Sequence, residues 1–201
     1  LLIKGKANEK SYIFIDNDCI EIRDASHLWG QDSYDADEIL RKEIDQKIST
    51  MGIGIAGELL APLSCIVSDG KDSRMAGRCG MGAVMGSKNI KAVVCTSGKV
   101  KIELYDKESL KKSVRETMKA MVSLSKDFKA YGTSGSLKVC HDIGDMPVKN
   151  WQNRKWDTEK VDNLTGQNIA KTVLKNNYHC AKCPFGCGRV VHVEKGRFKT
   201  A

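Results

Sequence analysis

No apolar run in the 201-residue sequence approaches the roughly 20 residues that a membrane-spanning helix needs, so no such span is expected. No signal-peptide pattern is visible. Arginine-rich runs and recognisable nucleic-acid motifs are missing as well; the lysines are spread along the chain, and a nucleic-acid partner is not expected. There is no internal repeat. A secreted disulfide framework is also lacking. Cys19, Cys65, Cys79, Cys95 and Cys140 stand singly, mostly in apolar segments, which is the pattern of buried thiols in a reducing, cytoplasmic compartment.

What is present is a soluble globular composition, 41% hydrophobic and 29% charged, long enough for one or two domains with a real core. Lys and Arg number 33 against 25 Asp and Glu, a net charge of +8 that suits an anionic cofactor or an acidic protein partner. The chain starts Leu1-Leu2-Ile3-Lys4-Gly5, without Met and in strand pattern, and stops at Ala201 just after a cysteine-rich loop. A fragment of something longer is expected.

Residues 1–104 read as mostly β. Leu1 to Lys4 is an expected strand, and Ser11–Asp16 with Cys19–Arg23 an expected hairpin turning at Asn17-Asp18. Tyr12 and Phe14 share one face, Ile13 and Ile15 the other. Asp35 to Ile48 reads as a helix started by Asp35 and Glu38, with Ile39, Leu40, Ile44 and Ile48 on one face. Met51–Ala56, Leu63–Val67, Ile90–Thr96 and Val100–Leu104 read as further strands. Residues 105–201 read as mostly α. Asp106 to Lys126 is a long helix with Leu110, Val114, Met118, Met121 and Val122 on one face. Gly135 to Ile143 and Leu164–Lys175 are two more helices, separated by a loop over Gly144–Trp156. A domain boundary is expected near Leu104–Asp106.

Two segments carry chemistry. The first, Cys180-x-x-Cys183-x-x-x-Cys187, puts three thiols in eight residues, with Pro184, Gly186 and Gly188 to bend the backbone. Such a loop suits an iron–sulfur cluster, though a four-iron cluster wants a fourth cysteine. Zinc completed by His179 or His192, or a disulfide, are the other readings. The second segment runs from Arg74 to Lys91. Gly77, Gly80, Gly82 and Gly86 let a ligand approach the backbone, and Arg74, Arg78, Lys88 and Lys91 add four cations. That is a candidate anion site for a phosphorylated cofactor. A dinucleotide turn at Gly80-x-Gly82 is a weak match, because Ser68–Arg78 is polar where a strand should lead in. Tight turns and close packing are the remaining explanation for the glycines.

Taken together, the two segments resemble the aldehyde ferredoxin oxidoreductase family of tungsten or molybdenum pterin enzymes. Ala76-Gly-Arg-Cys-Gly-Met-Gly-Ala-Val-Met-Gly-Ser-Lys-Asn-Ile-Lys-Ala92 is similar to that family's glycine-rich signature, and Cys180-x-x-Cys183-Pro-x-Gly-Cys187-Gly-Arg189 to its cluster loop. Ile22-Arg-Asp-Ala-Ser-His-Leu-Trp-Gly30 and Tyr131-Gly-Thr-Ser-Gly135 fit as well. The resemblance implies an α+β fold: the C-terminal part of a β-rich pterin-binding domain over residues 1–104, then the start of an α-helical domain over 105–201 that carries the cysteine loop.

The resemblance also implies a cofactor and roles. The cofactor is a tungsten (or molybdenum) bis-pterin with magnesium joining the pterin phosphates, beside a [4Fe–4S] cluster. Arg74, Gly77 and Arg78 match pterin-binding positions, Met75 the position whose carbonyl ligates magnesium, and Cys180, Cys183 and Cys187 three cluster ligands. The partners implied are an aldehyde, ferredoxin or another iron–sulfur carrier, and a second copy in a homodimer. Cys79 departs from the glycine common at its position. Relatives include the tungsten subunit of benzoyl-CoA reductases, which leaves the substrate open. The fourth cluster cysteine and the pocket residues are expected after residue 201, so the 201-residue chain alone is expected to be inactive. No catalytic acid or base is assigned. His27, His141, His179 and His192 are read as structural, and Trp29, Trp151 and Trp156 as core.

Overall fold

The computed structural model describes residues 2–68, 70, 74–96, 98, 102–180 and 183–200. The chain divides into two compact units, residues 1–103 and 104–201.

The first unit is built on a mixed six-stranded sheet. Its strands are β1 (Ser11–Asp16), β2 (Cys19–Asp24), β3 (Ser49–Gly52), β4 (Ile66–Ser68), β5 (Arg74–Ala76) and β6 (Ile90–Cys95), in the order β2-β1-β6-β3-β4-β5. Only β1 and β6 run parallel; the other pairs are antiparallel. The alternation expected in β1 decides the packing. Tyr12 and Phe14 join Leu28, Leu40, Ile48, Ala92 and Val94 in one core cluster, while Ile13 joins Ile53, Met85, Ile90 and Val93 in another. Helix α1 (Ser33–Glu43) contributes to the first cluster. Helix α3 (Met81–Ser87) supplies Met85 to the second, and packs on the four-residue α2 (Ile55–Glu58).

Several local expectations change. Residues 2–4 are irregular, not a strand, and position 1 lies outside the described residues. In the β1–β2 turn Asn17 takes φ 52°, but Asp18 does not enter the left-handed region. Asp32, not Asp35, caps α1: its carboxylate accepts from the amides of Tyr34 at 2.7 Å and Asp35 at 2.9 Å. The helix ends at Glu43 because the Arg41 guanidinium donates to the carbonyls of Gln46 (2.9 Å) and Ile48 (2.8 Å), pulling the chain around its C-terminus. The strand expected over Met51–Ala56 stops at Gly52 and gives way to α2. The one expected over Leu63–Val67 begins only at Ile66, since Leu63 is 92% exposed. Residues 102–104 are irregular; Val100 and Lys101 lie outside the described residues, as does Ser97.

The second unit holds α4 (Lys107–Leu124), α5 (Lys126–Tyr131), α6 (Leu137–Asp142), α7 (Thr158–Leu164), α8 (Gly166–Thr172) and a hairpin of β7 (Leu174–Tyr178) with β8 (Gly188–Val191). The expected helix over Leu164–Lys175 is in fact three elements, α7, α8 and the start of β7. The loop at Gly144–Trp156 is present. It contains three consecutive left-handed residues, Lys149, Asn150 and Trp151, closed by a bridge between Val148 and Asn153. Trp151 (60% exposed) and Trp156 (44%) are not core residues.

Candidate functional site

The glycine-rich segment lies in the first unit. Among the described residues β5 forms an edge of the sheet, with β4 beside it and no strand partner on its other side. Arg74, Met75, Gly77 and Arg78 are all exposed on or just after it. The four glycines separate into two kinds. A side chain on Gly80 would meet the Pro62 carbonyl, one on Gly82 would sit 2.6 Å from the Cys65 carbonyl oxygen, and one on Gly86 would run into the Gly57 carbonyl. These three are required where α3 presses on α2 and on the preceding turn. Gly77 differs, because among the described residues a Cβ there would meet nothing within 4 Å, and its φ is not left-handed. Neither packing nor backbone geometry explains this glycine. An exposed glycine between two exposed arginines is what a phosphate-bearing ligand requires to reach the main chain.

The cation set is smaller than expected. Lys91 is wholly buried, its ammonium paired with the Glu58 carboxylate and donating to the Gln31 carbonyl at 2.8 Å. The Glu58 carboxylate also accepts from the Gly30 amide, at 3.1 and 2.9 Å. The cause is a β-bulge. Between the pairs Ser11–Ile90 and Ile13–Val93, β6 spends three steps against two in β1, and the extra residue re-aims Lys91 into the interior. Lys88 donates to the Gly5 carbonyl at 2.7 Å. Arg74 and Arg78 are exposed and stand on either side of Gly77.

The cysteine loop lies in the second unit, between β7 and β8. Cys180 is exposed and Cys183 and Cys187 half-buried, and none of the eight cysteines is joined in a disulfide. The expectation of buried single cysteines fails at Cys19 and Cys79, both exposed. A turn bond from the Cys183 amide to the Cys180 carbonyl (2.9 Å) shapes the loop. Gly186 accepts the His179 imidazole against it, since a Cβ there would lie 2.5 Å from the ring. His179 Nδ1 is 3.1 Å from the Cys183 carbonyl oxygen, a contact to the loop backbone. Among the described residues no three His, Cys, Asp or Glu side chains close on a single metal ion.

Sequence reasoning missed what holds this loop, Arg189. Its guanidinium donates to Asn177 Oδ1 (2.7 Å), to the Gly186 and Gly188 carbonyls (both 3.2 Å), and to the Phe128 and Lys129 carbonyls at 3.3 and 2.8 Å. One planar fork thus ties the loop to the last turn of α5. The signal was the Cys187-Gly-Arg189 triplet, but its partner carbonyls on α5 are 61 and 60 residues away in sequence. The other three histidines make contacts of their own. His141 is buried with Nε2 between the backbone amide and carbonyl of Trp156 (3.2 and 3.0 Å). His27 lies 3.2 Å from Glu43, and His192 2.7 Å from the Thr200 hydroxyl.

Comparison with known proteins gives a consistent result. Residues 1–97 match the family model described as aldehyde ferredoxin oxidoreductase, N-terminal domain, and residues 108–201 the model for its domains 2 and 3. A tungsten-containing aldehyde ferredoxin oxidoreductase of Pyrococcus furiosus is 37% identical over 194 residues, covering 94% of this chain and 31% of that protein. An aliphatic sulfonate oxidoreductase, WOR-like subunit, of the same organism is 33% identical over 213 residues, covering 99% of this chain and 33% of that one. Among solved structures, the active-site complex BamBC of benzoyl coenzyme A reductase with 1,5-dienoyl-CoA is similar with a TM-score of 0.76. It is 26% identical, over 95% of this chain and 31% of that one. The chain spans about a third of the length of the curated relatives it matches.

Proposed function

The chain belongs to the aldehyde ferredoxin oxidoreductase family, and from that premise we propose that it is part of a tungsten (or molybdenum) pterin enzyme that oxidises aldehydes to carboxylic acids. A [4Fe–4S] cluster held at Cys180, Cys183 and Cys187 would supply the electron-transfer chemistry toward ferredoxin or another iron–sulfur carrier. Gly77 carries the reading, as an exposed glycine with open space around it, set between Arg74 and Arg78 beside a sheet edge.

The residues present fit the group. Arg74 and Arg78 neutralise pterin phosphates with charge-assisted hydrogen bonds. Gly77 lets the phosphate close on the backbone. Met75 offers a main-chain carbonyl to magnesium, a contact indifferent to its side chain. Cys180, Cys183 and Cys187 supply three thiolates to the cluster, and Arg189 fixes the loop that bears them. When bound, the metal–pterin group supplies the two-electron chemistry, while the protein binds and orients it and tunes its potential. Residues 1–104 then form part of the pterin-binding domain and residues 105–201 part of the cluster domain of a cytoplasmic homodimer.

A second reading, a subunit acting on an aromatic coenzyme A thioester, draws on the similarity to the benzoyl coenzyme A reductase complex. The aldehyde reading is preferred because the aldehyde ferredoxin oxidoreductase relative is 37% identical and that complex 26%. The test is metal analysis of anaerobically purified full-length protein together with aldehyde-dependent reduction of a viologen dye. Iron with tungsten or molybdenum, and dye reduction, are expected. Zinc without either would overturn the proposal, and turnover of a coenzyme A thioester without aldehyde oxidation would favour the second reading.

A further inference from the structure

Glu58 closes α2, and its carboxylate is met from two sides. The Lys91 ammonium reaches it from β6, and the Gly30 amide from the turn before α1. Lys91 also donates to the Gln31 carbonyl at 2.8 Å, so one ion pair joins α2, β6 and the 29–31 turn. Both side chains are buried, and all of these partners lie in the first unit. A pair this deep is weak evidence for stability, because desolvating the two charges offsets their attraction. Its better-attested use is to hold the elements it joins in one arrangement.

The arrangement held here is that of the glycine-rich segment. Helix α2 and the turn after it form the bed on which α3 rests. The Gly57 carbonyl presses on Gly86 and the Pro62 carbonyl on Gly80, and the Gly82 amide donates to the Ser64 carbonyl at 3.1 Å. Directly after that turn β4 pairs with β5, setting Val67 against Met75 and Ser68 against Arg74. Arg74 is therefore held through β4. Arg78 is held through the start of α3, where Cys79 and Gly80 take φ of 68° and 63°. Both supports come from one stretch, residues 55–68. Its apolar side chains at Ile55, Leu59, Leu60 and Leu63 are exposed and do not seat it on the sheet, whereas Glu58 does.

We propose that Glu58 and Lys91 are positioning residues for the anion site around Gly77: the pair sets how α2 lies on the sheet, and through α2 the spacing of Arg74 and Arg78. The inference rests on the function proposed above, in which that site takes the phosphates of the pterin cofactor. Lys91 is wholly buried, so it acts on the phosphates through the backbone and not as a ligand. A phosphate held by two guanidinium forks and a bare stretch of main chain needs all three in register, and a supporting shell that drifts by a fraction of an ångström loosens the grip.

The test sets metal content against stability in the full-length protein, purified anaerobically. Lys91→Met with Glu58→Gln removes both charges at nearly constant volume and leaves no buried charge alone. Its urea midpoint is expected to stay near that of the unsubstituted protein, while tungsten (or molybdenum) per iron falls about threefold. Iron serves as the reference because the cysteine loop lies in the second unit. Glu58→Asp keeps the charge and shortens the reach by one methylene. It is expected to lower the same ratio about twofold, and it decides the matter should the double variant not fold. An unchanged ratio in a folded variant would overturn the proposal. So would iron falling in step with tungsten, the mark of general destabilisation. Tungsten or molybdenum in the unsubstituted protein reports separately on the proposed function, so the two failures are distinguishable.

Discussion

Cys79 holds φ 68°, a left-handed conformation that costs a non-glycine residue about 1–2 kcal/mol, and its side chain is exposed. Nothing in the fold requires a thiol there. Cys79→Gly is therefore expected to raise stability by about 1 kcal/mol once glycine's own entropy cost is set against the relieved strain. A higher urea midpoint at unchanged slope is the readout; an unchanged or lower midpoint would show that the strain argument is wrong. Lys91 makes the opposite case. Lys91→Met leaves the Glu58 carboxylate, 5% exposed, with only the Gly30 amide among the described residues, and is expected to cost about 3–5 kcal/mol. Adding Glu58→Gln should restore much of that loss, since no buried charge is then left alone. Lys91 also shows where sequence reasoning stops. Its place in a run of cations pointed to an anion site, and only the non-local pairing of β1 with β6 creates the bulge that turns it inward. Gly77 was legible as a glycine, but only the packing around Gly80, Gly82 and Gly86 singles it out.

Helix α3 turns that contrast into a paired experiment. Gly86→Ala drives a methyl into the Gly57 carbonyl and must push α3 off α2, at an expected cost of about 2–3 kcal/mol. Gly77→Ala meets no atom and should change stability by less than about 0.5 kcal/mol. In the full-length protein the same change should lower tungsten content, because the methyl occupies the space assigned to the phosphate. Equal tungsten content in Gly77→Ala and the unsubstituted protein would remove the observation on which the cofactor reading rests.

Helix α4 carries a pH prediction. Asp106 caps it, accepting from the Glu108 and Ser109 amides at 3.0 and 2.9 Å and from the Ser109 hydroxyl at 2.6 Å. The Ser109 hydroxyl contributes most to holding this carboxyl below the usual carboxylate range, followed by the Ser109 amide. A depressed folded-state pKa means that the cap's contribution is full above the unfolded value and is lost as pH falls through the folded one. Helical circular dichroism should therefore hold to the carboxylate range and then drop. Asp106→Asn, an equally good cap without a titrating group, should lessen that drop. The helix was readable in sequence because its apolar spacing is local, though Asp106 was read as part of it and not as its cap. The β7–β8 hairpin was not, because Leu174–Tyr178 continues the apolar spacing of α8 and becomes a strand only by pairing across the cysteine loop with Gly188–Val191.

At the scale of the whole molecule, the two units differ in how they are held together. Fifteen of the 17 buried hydrophobic residues among those described lie in the first unit, on both faces of one sheet; the second has only Val148 and Val161. With so few buried apolar residues described, this unit leans on ties such as those of Arg189, and a metal centre held by the cysteine loop would add another. The position of Arg189 shows how that constraint would spread. A loop fixed by a cluster fixes Arg189, which fixes the end of α5, and Gly132 beyond it packs within 3.0 Å of the Cys187 carbonyl oxygen at the position of a Cβ. The sheet of the first unit needs no such aid. Removing iron from the full-length protein by anaerobic chelation is therefore expected to raise amide exchange in α5 and in β7 and β8 by at least tenfold, while β1 and β6 keep their protection. Uniform loosening of both units would mean that the cluster stabilises the molecule only globally. Unchanged exchange around the loop would mean that Arg189 holds the second unit together without any metal.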